Sequence, residues 1–175
     1  AYVIRGGRPI SGAITAGGNK NAALPMLAAS ILADGPLRLD NVPDIRDVVV
    51  MLELLAGLGV GVEDLGDGGW ELDGGALGRL DADPRLAGEV RASFLLAGPL
   101  VARHGRAVLP RPGGDRIGRR PLDTHIHALA ALGVEVAVER HRYVLQAPKG
   151  LRGADIFLHE MSVMATENTV CLLYT

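Results

Sequence analysis

Leu58-Gly59-Val60-Gly61-Val62, followed after a turn by Trp70-Glu71-Leu72, returns further along the chain as Leu132-Gly133-Val134-Glu135-Val136 and Tyr143-Val144-Leu145. Each copy follows an apolar stretch with helical spacing, Val48 to Leu58 and Thr124 to Leu132. A supersecondary pattern that recurs after roughly seventy residues marks a structural repeat. Gly153-Ala154-Asp155-Ile156-Phe157-Leu158 reads as the opening of a third unit, so the chain is expected to stop just inside that unit's helix.

Working outward, the alternation in Ala1 to Ile4 predicts a short strand, and the glycines from Gly6 to Gly12 a turn-rich segment. Asn19 to Ala33 predicts a helix, with Ala22, Ala23, Leu27, Ala28 and Ile31 at helical spacing. Pro25 fits only the first turn of that helix, where its missing amide has no helical partner, which places the N-terminus close to Lys20 and Asn21. Asp34-Gly35-Pro36 breaks the helix, Leu37-Arg38-Leu39 predicts a strand, and Asp44 to Leu58 a second helix with Asp47 near its start.

The 175 residues are 48% hydrophobic with a net charge of −2, which predicts a soluble globular body of one or two domains rather than a tail or linker. No apolar run is long enough to span a bilayer, and the opening residues lack the order of a signal peptide, so the cytoplasm is the expected compartment. Cys171 is the only cysteine, which excludes an internal disulfide or a cysteine-based zinc site. The closing Cys171-Leu172-Leu173-Tyr174-Thr175 is also the translation of TGT CTC TTA TAC ACA, part of a transposon-end sequencing adapter. Residues 171–175 are therefore expected to be adapter read-through, the alternative being an ordinary helical end.

Two segments carry possible chemistry. Gly17-Gly18-Asn19-Lys20-Asn21 leads into a helix, where free amides, the positive end of the dipole and a lysine suit a phosphate or carboxylate. A glycine-rich turn with a solvated lysine is the alternative, and the segment is not a P-loop. Arg111 to Pro121 is a basic, glycine-rich loop with one carboxylate, Asp115, and its guanidinium groups suit a polyanion. Its glycines would let it close over a ligand, while a solvated basic loop is the plainer reading. Arg91 lies beside an apolar helix and is either directed into the same space or a surface charge. His125 and His127 fall on different faces of a helix and form no metal pair. The charge balance gives no reason to expect nucleic acid.

Taken together and in order, several stretches resemble the UDP-N-acetylglucosamine enolpyruvyl transferases. They are Ser11-Gly12 through Gly18-Asn19-Lys20-Asn21-Ala22-Ala23-Leu24-Pro25, Asn41-Val42-Pro43, Arg91-Ala92-Ser93, Pro112-Gly113-Gly114 with Ile117-Gly118, Arg120-Pro121-Leu122-Asp123, and Ser162-Val163 with Ala165-Thr166-Glu167-Asn168. The shikimate-pathway enolpyruvyl transferases fit less well, because their Asn-Ala-Gly-Thr phosphate segment is missing.

The resemblance implies an inside-out α/β barrel of βαβαββ-like units, helices inside and sheets outside, incomplete in this chain. It further implies that residues 1–19 pack with a C-terminal domain of the same chain and that residues 20–170 form a domain cut in its third repeat. By resemblance, Lys20, Asn21 and Arg120 bind phosphoenolpyruvate. Arg91, Arg120, Pro121, Leu122, Asp123, Thr124, Glu160, Met161, Ser162 and Val163 contact the UDP-sugar. Two departures stand out, Glu160 where a basic residue is common and Met164 at a frequent glycine position. Asp115 occupies the place of the family's mobile-loop cysteine, the proton donor to phosphoenolpyruvate, and some members carry Asp there. The implied partners are phosphoenolpyruvate, UDP-N-acetylglucosamine and the C-terminal domain, with no cofactor, metal, nucleic acid or membrane. The implied reaction is the committed step of peptidoglycan precursor synthesis. The alternatives are a non-catalytic UDP-sugar-binding paralogue or another enolpyruvyl transferase such as the shikimate-pathway enzyme.

Overall fold

The repeated Leu-Gly-Val turns out to be a helix stop. In the computed structural model, which describes residues 2–7, 9, 11–114, 118 and 121–173, the second helix α2 (Arg46–Leu58) ends at Gly59 in the left-handed region, φ +102°. The Gly59 amide donates to Ala56 O and the Val60 amide to Leu55 O, both at 3.0 Å, the paired bonds that close a Schellman motif. The second copy repeats this atom for atom: Gly133 has φ +98°, its amide donates to Ala130 O, and the Val134 amide donates to Leu129 O. A β-carbon at these φ values is strained, which is why glycine stands at both places.

Each stop feeds a strand, and the two units have one plan. The first consists of α1 (Lys20–Ala29), β1 (Leu37–Leu39), α2, β2 (Gly61–Gly66) and β3 (Gly69–Asp73). The second consists of α3 (Pro84–Ala87), α4 (Ala97–His104), β4 (Arg106–Pro110), α5 (Asp123–Ala131), β5 (Glu135–Val138) and β6 (Arg142–Gln146). Each builds a three-stranded antiparallel sheet in the same spatial order, β1-β3-β2 and β4-β6-β5. A last helix, α6 (Val163–Leu173), packs against α4 and α5.

The helices supply the interior. Leu27, Ile31, Met51, Leu55, Leu58, Phe94, Leu96 and Leu100 are fully buried in one continuous core, while most of β2 and β5 is exposed. Full burial of one such side chain contributes roughly 1.5–3 kcal/mol, so this helical interior holds the two sheets to one body. Arg103 helps from the side: its Nη1 donates to the carbonyls of Ile31 and Ala33, closing the 3-10 turn Ser30–Leu32 that ends the first helix.

Two expectations need correction. Pro25 is the sixth residue of α1 and not part of its first turn. It has no amide to donate to the Asn21 carbonyl one turn back, an omission tolerable so close to the helix start. Residues 2–4 form no strand and are almost fully exposed. A strand exists only through its ladder, and this segment has no ladder partner among the described residues. Cys171 to Leu173 are the last turn of α6, with Leu172 buried in the core; Tyr174 and Thr175 lie outside the described residues.

Candidate functional site

The first cleft forms where α1 begins. Asn19 is extended and its Oδ1 accepts from the Ala22 amide at 3.1 Å, a side-chain cap that fixes the helix start at Lys20. Gly18 explains the approach: a β-carbon there would lie 2.0 Å from the Asn41 carbonyl and 2.8 Å from the Pro43 ring. Asn41 itself takes φ +57°, and the next amide, of Val42, donates to Gly68 O at 2.9 Å. Gly18 and Asn41-Val42-Pro43, far apart in sequence, are thus two sides of one contact that seats the helix N-terminus.

From that seat Lys20 Nζ reaches Asp47 Oδ2 at 2.9 Å, in the first turn of α2. Both side chains are more than a third exposed, so the pair contributes at most about 1 kcal/mol and can exchange for a ligand anion. Lys20, Asn21, Asp47, Glu89 and Arg91 line a cleft of about 400 Å³. Glu89 is held by Arg46 and Arg85, one an ion pair across elements and the other within one turn.

The far wall is the base of the basic loop. The Gly113 amide donates to Ala87 O at 3.0 Å, and a β-carbon on Gly113 would sit 1.6 Å from Gly88 O. Gly114, φ +90°, lies against the Arg91 backbone. At this end the glycines serve close approach. Asp115, Arg116, Ile117, Arg119 and Arg120 lie outside the described residues, so the expectations for Asp115 and Arg120 stand apart from this geometry.

Arg91 joins the first cleft to a second. Its Nη2 donates to Pro121 O at 3.0 Å, and with Thr124, His125, Glu160 and Ser162 it lines a space of about 280 Å³. Pro121, Met161, Val163 and Met164 complete the wall. The Ser162 Oγ accepts from the Ala165 amide at 3.2 Å, which caps α6 toward the cleft. Leu122 is buried in the core and Asp123 is the first residue of α5, and neither is among the residues that line the cleft. Glu160 places a carboxylate on the rim.

Sequence reasoning missed His125 as a wall residue. It is buried, edge-on to Phe94 with ring centroids 5.3 Å apart, and in contact with Asn168. Burial pushes its imidazole down to about 4, and the Arg91 charge acts in the same direction. A signal was present, because His125 shares the apolar face of α5 with Ala128, Leu129 and Leu132. His127 sits on another face, against His159. No group of three or more metal-ligating side chains occurs among the described residues.

The family model described as EPSP synthase (3-phosphoshikimate 1-carboxyvinyltransferase) matches residues 4–175. A UDP-N-acetylglucosamine 1-carboxyvinyltransferase of Treponema pallidum is 50% identical over 169 residues, 97% of this chain and 39% of the relative. The protein of the same name from Bradyrhizobium diazoefficiens is 47% identical over 169 residues, with the same coverage. The chain thus spans about two fifths of the length of these relatives. Among solved structures, the enolpyruvyl transferase NikO from Streptomyces tendae superposes with a TM-score of 0.75 at 24% identity, over 95% of this chain and 39% of that one. EPSP synthase from Acinetobacter baumannii superposes with a TM-score of 0.68 at 17% identity, over 91% and 37%. These two likenesses show the fold, an α/β enolpyruvyl transferase architecture.

Proposed function

The chain belongs to the EPSP synthase family of enolpyruvyl transferases, and from that premise we propose that its paired clefts serve enolpyruvyl transfer from phosphoenolpyruvate to the 3-hydroxyl of UDP-N-acetylglucosamine. The observation that carries the proposal is the adjacency of two clefts through Arg91, one holding Lys20 and Asn21, the other Thr124 and Ser162. Relatives at 47–50% identity are named for the UDP-sugar, which favours that acceptor over 3-phosphoshikimate.

On this reading the small anion takes the place of Asp47 on Lys20, and charge-assisted bonds there hold its phosphate and carboxylate. The UDP-sugar lies in the second cleft, along Arg91, Pro121, Thr124 and the segment Glu160, Met161, Ser162 and Val163, with Arg120 added from the loop. Asp115, as general acid, gives its proton to C3 of phosphoenolpyruvate. C2 becomes electrophilic, the sugar oxygen attacks it, and loss of phosphate with the hydroxyl and C3 protons restores the double bond of an enolpyruvyl ether. A reaction between soluble metabolites fits a cytoplasmic enzyme of peptidoglycan precursor synthesis. No helix among the described residues is long and apolar enough to cross a membrane.

A UDP-sugar-binding paralogue without turnover is the second reading. It is left open by the two departures from the family pattern, Glu160 and Met164, which both line the second cleft. Calorimetric titration of Lys20→Ala tests the first. Loss of one charge-assisted contact, about 1.5–3 kcal/mol, should weaken phosphoenolpyruvate binding roughly 10- to 150-fold and leave UDP-N-acetylglucosamine nearly unchanged. Equal loss for both ligands would contradict the assignment of the two clefts.

A further inference from the structure

Asn168, on α6, is 1% exposed and ties four elements together. Its Oδ1 accepts from the Gly98 amide of α4 at 2.8 Å. Its Nδ2 donates to Phe94 O, in the 3-10 turn Arg91–Leu96, at 2.9 Å. The same Nδ2 lies 3.0 Å from His125 Nδ1 on α5.

These partners leave one arrangement of protons. The Gly98 amide can only donate and the Phe94 carbonyl can only accept, so the Asn168 amide cannot be turned over. One of its two N–H groups goes to Phe94, and the other is directed at His125 Nδ1. That ring nitrogen must then present a lone pair. An imidazolium carries hydrogens on both nitrogens and would set N–H against N–H.

We propose that Asn168 is a positioning residue that fixes His125 as the neutral tautomer, protonated on Nε2, in the wall of the cleft shared with Arg91 and Thr124. Burial and the Arg91 guanidinium act with the hydrogen bond, both disfavouring a charged ring. Of the other ionisable groups nearby, Glu160 borders the same cleft, Asp123 and His127 lie on α5 itself, and Glu167 and Cys171 lie on α6 beside Asn168. Tyr143 of β6 packs on Phe94.

The consequence rests on the proposed nucleotide-sugar site. The ring offers an acceptor oxygen of the ligand a directed, uncharged donor. Binding then carries no His125 titration step across the neutral range, where a free imidazole changes charge.

Nitrogen-15 NMR of the histidine rings in the full, ligand-free chain tests the lock. His125 should show its proton on Nε2 and no titration from about pH 8 down to about pH 5. Asn168→Asp offers Nδ1 a carboxylate acceptor, so His125 should then take up a proton near neutrality, a rise of at least about two pKa units. A wild-type ring protonated on Nδ1, or titrating near its ordinary value, would overturn the proposal. So would an Asn168→Asp protein with unchanged titration, and if that variant does not fold the wild-type spectrum decides alone. Neither readout uses a ligand. Failure of the nucleotide-sugar reading would instead appear as absent UDP-N-acetylglucosamine binding with the tautomer intact.

Discussion

His125 makes the native state sensitive to acid. In the unfolded chain its imidazole binds a proton near the ordinary value of 6.5, and in the native state only near 4. Between these values the unfolded state holds the extra proton, so stability rises with pH; it is fully present above about 6.5 and lost as pH falls toward 4. At about 1.4 kcal/mol per pH unit the loss by pH 4 is on the order of 3 kcal/mol. His104, pushed down by burial and Arg103, acts in the same direction. Urea unfolding at a series of pH values should show this slope, and His125→Phe should flatten it even though that variant is less stable at neutral pH. A parallel slope in both proteins would assign the acid sensitivity elsewhere.

The proposed role of Asp115 is tested at the same scale. A free Asp, with a pKa near 3.9, is protonated about once in a thousand at pH 7, a deficit of roughly 4 kcal/mol relative to a thiol that is already protonated. Loop closure and bound anions would narrow that deficit by desolvation and like-charge repulsion. Activity of the Asp115 protein should therefore fall on the alkaline side sooner than that of Asp115→Cys. Fosfomycin alkylates the family's loop cysteine, so the variant should also gain time-dependent inactivation that the aspartate protein lacks. A drug-insensitive Asp115→Cys protein with an unchanged pH profile would remove residue 115 from the chemistry.

Among elements, the α4–α6 crossing is closely specified. A β-carbon on Gly98 would lie 2.6 Å from Asn168 O, 3.0 Å from its Oδ1 and 3.1 Å from the Cys171 β-carbon. The neighbours are backbone and a buried amide, so they cannot swing aside. Gly98→Ala should cost about 1–3 kcal/mol in denaturant unfolding and disturb the Asn168–His125 contact. A neutral substitution would show that the two helices are less closely seated.

The repeated Leu-Gly-Val, the start of α1 and the span of α2 were legible in the sequence because each depends on neighbours along the chain: a cap, a stop or a helical stripe. The Asn168 network was not legible, since it joins residues 43 to 74 positions apart and exists only once α6 packs on α4 and α5. The same reason hid Asp47 as the partner of Lys20. Pro25 misled because a local rule about proline was applied one turn too strictly. Residues 2–4 misled because an alternating pattern supplies no ladder.

For the whole molecule, two units of one plan place their helices in a shared interior and leave the two clefts meeting at Arg91. The proposed chemistry is enolpyruvyl transfer, and the choice of acceptor distinguishes the two named members of the family. The most direct measurement is phosphate release by the full-length protein given phosphoenolpyruvate with UDP-N-acetylglucosamine, run beside phosphoenolpyruvate with 3-phosphoshikimate. Phosphate and an enolpyruvyl ether are expected with the UDP-sugar and neither with 3-phosphoshikimate. Phosphate release confined to 3-phosphoshikimate, or UDP-sugar binding with no turnover, would overturn the proposed function.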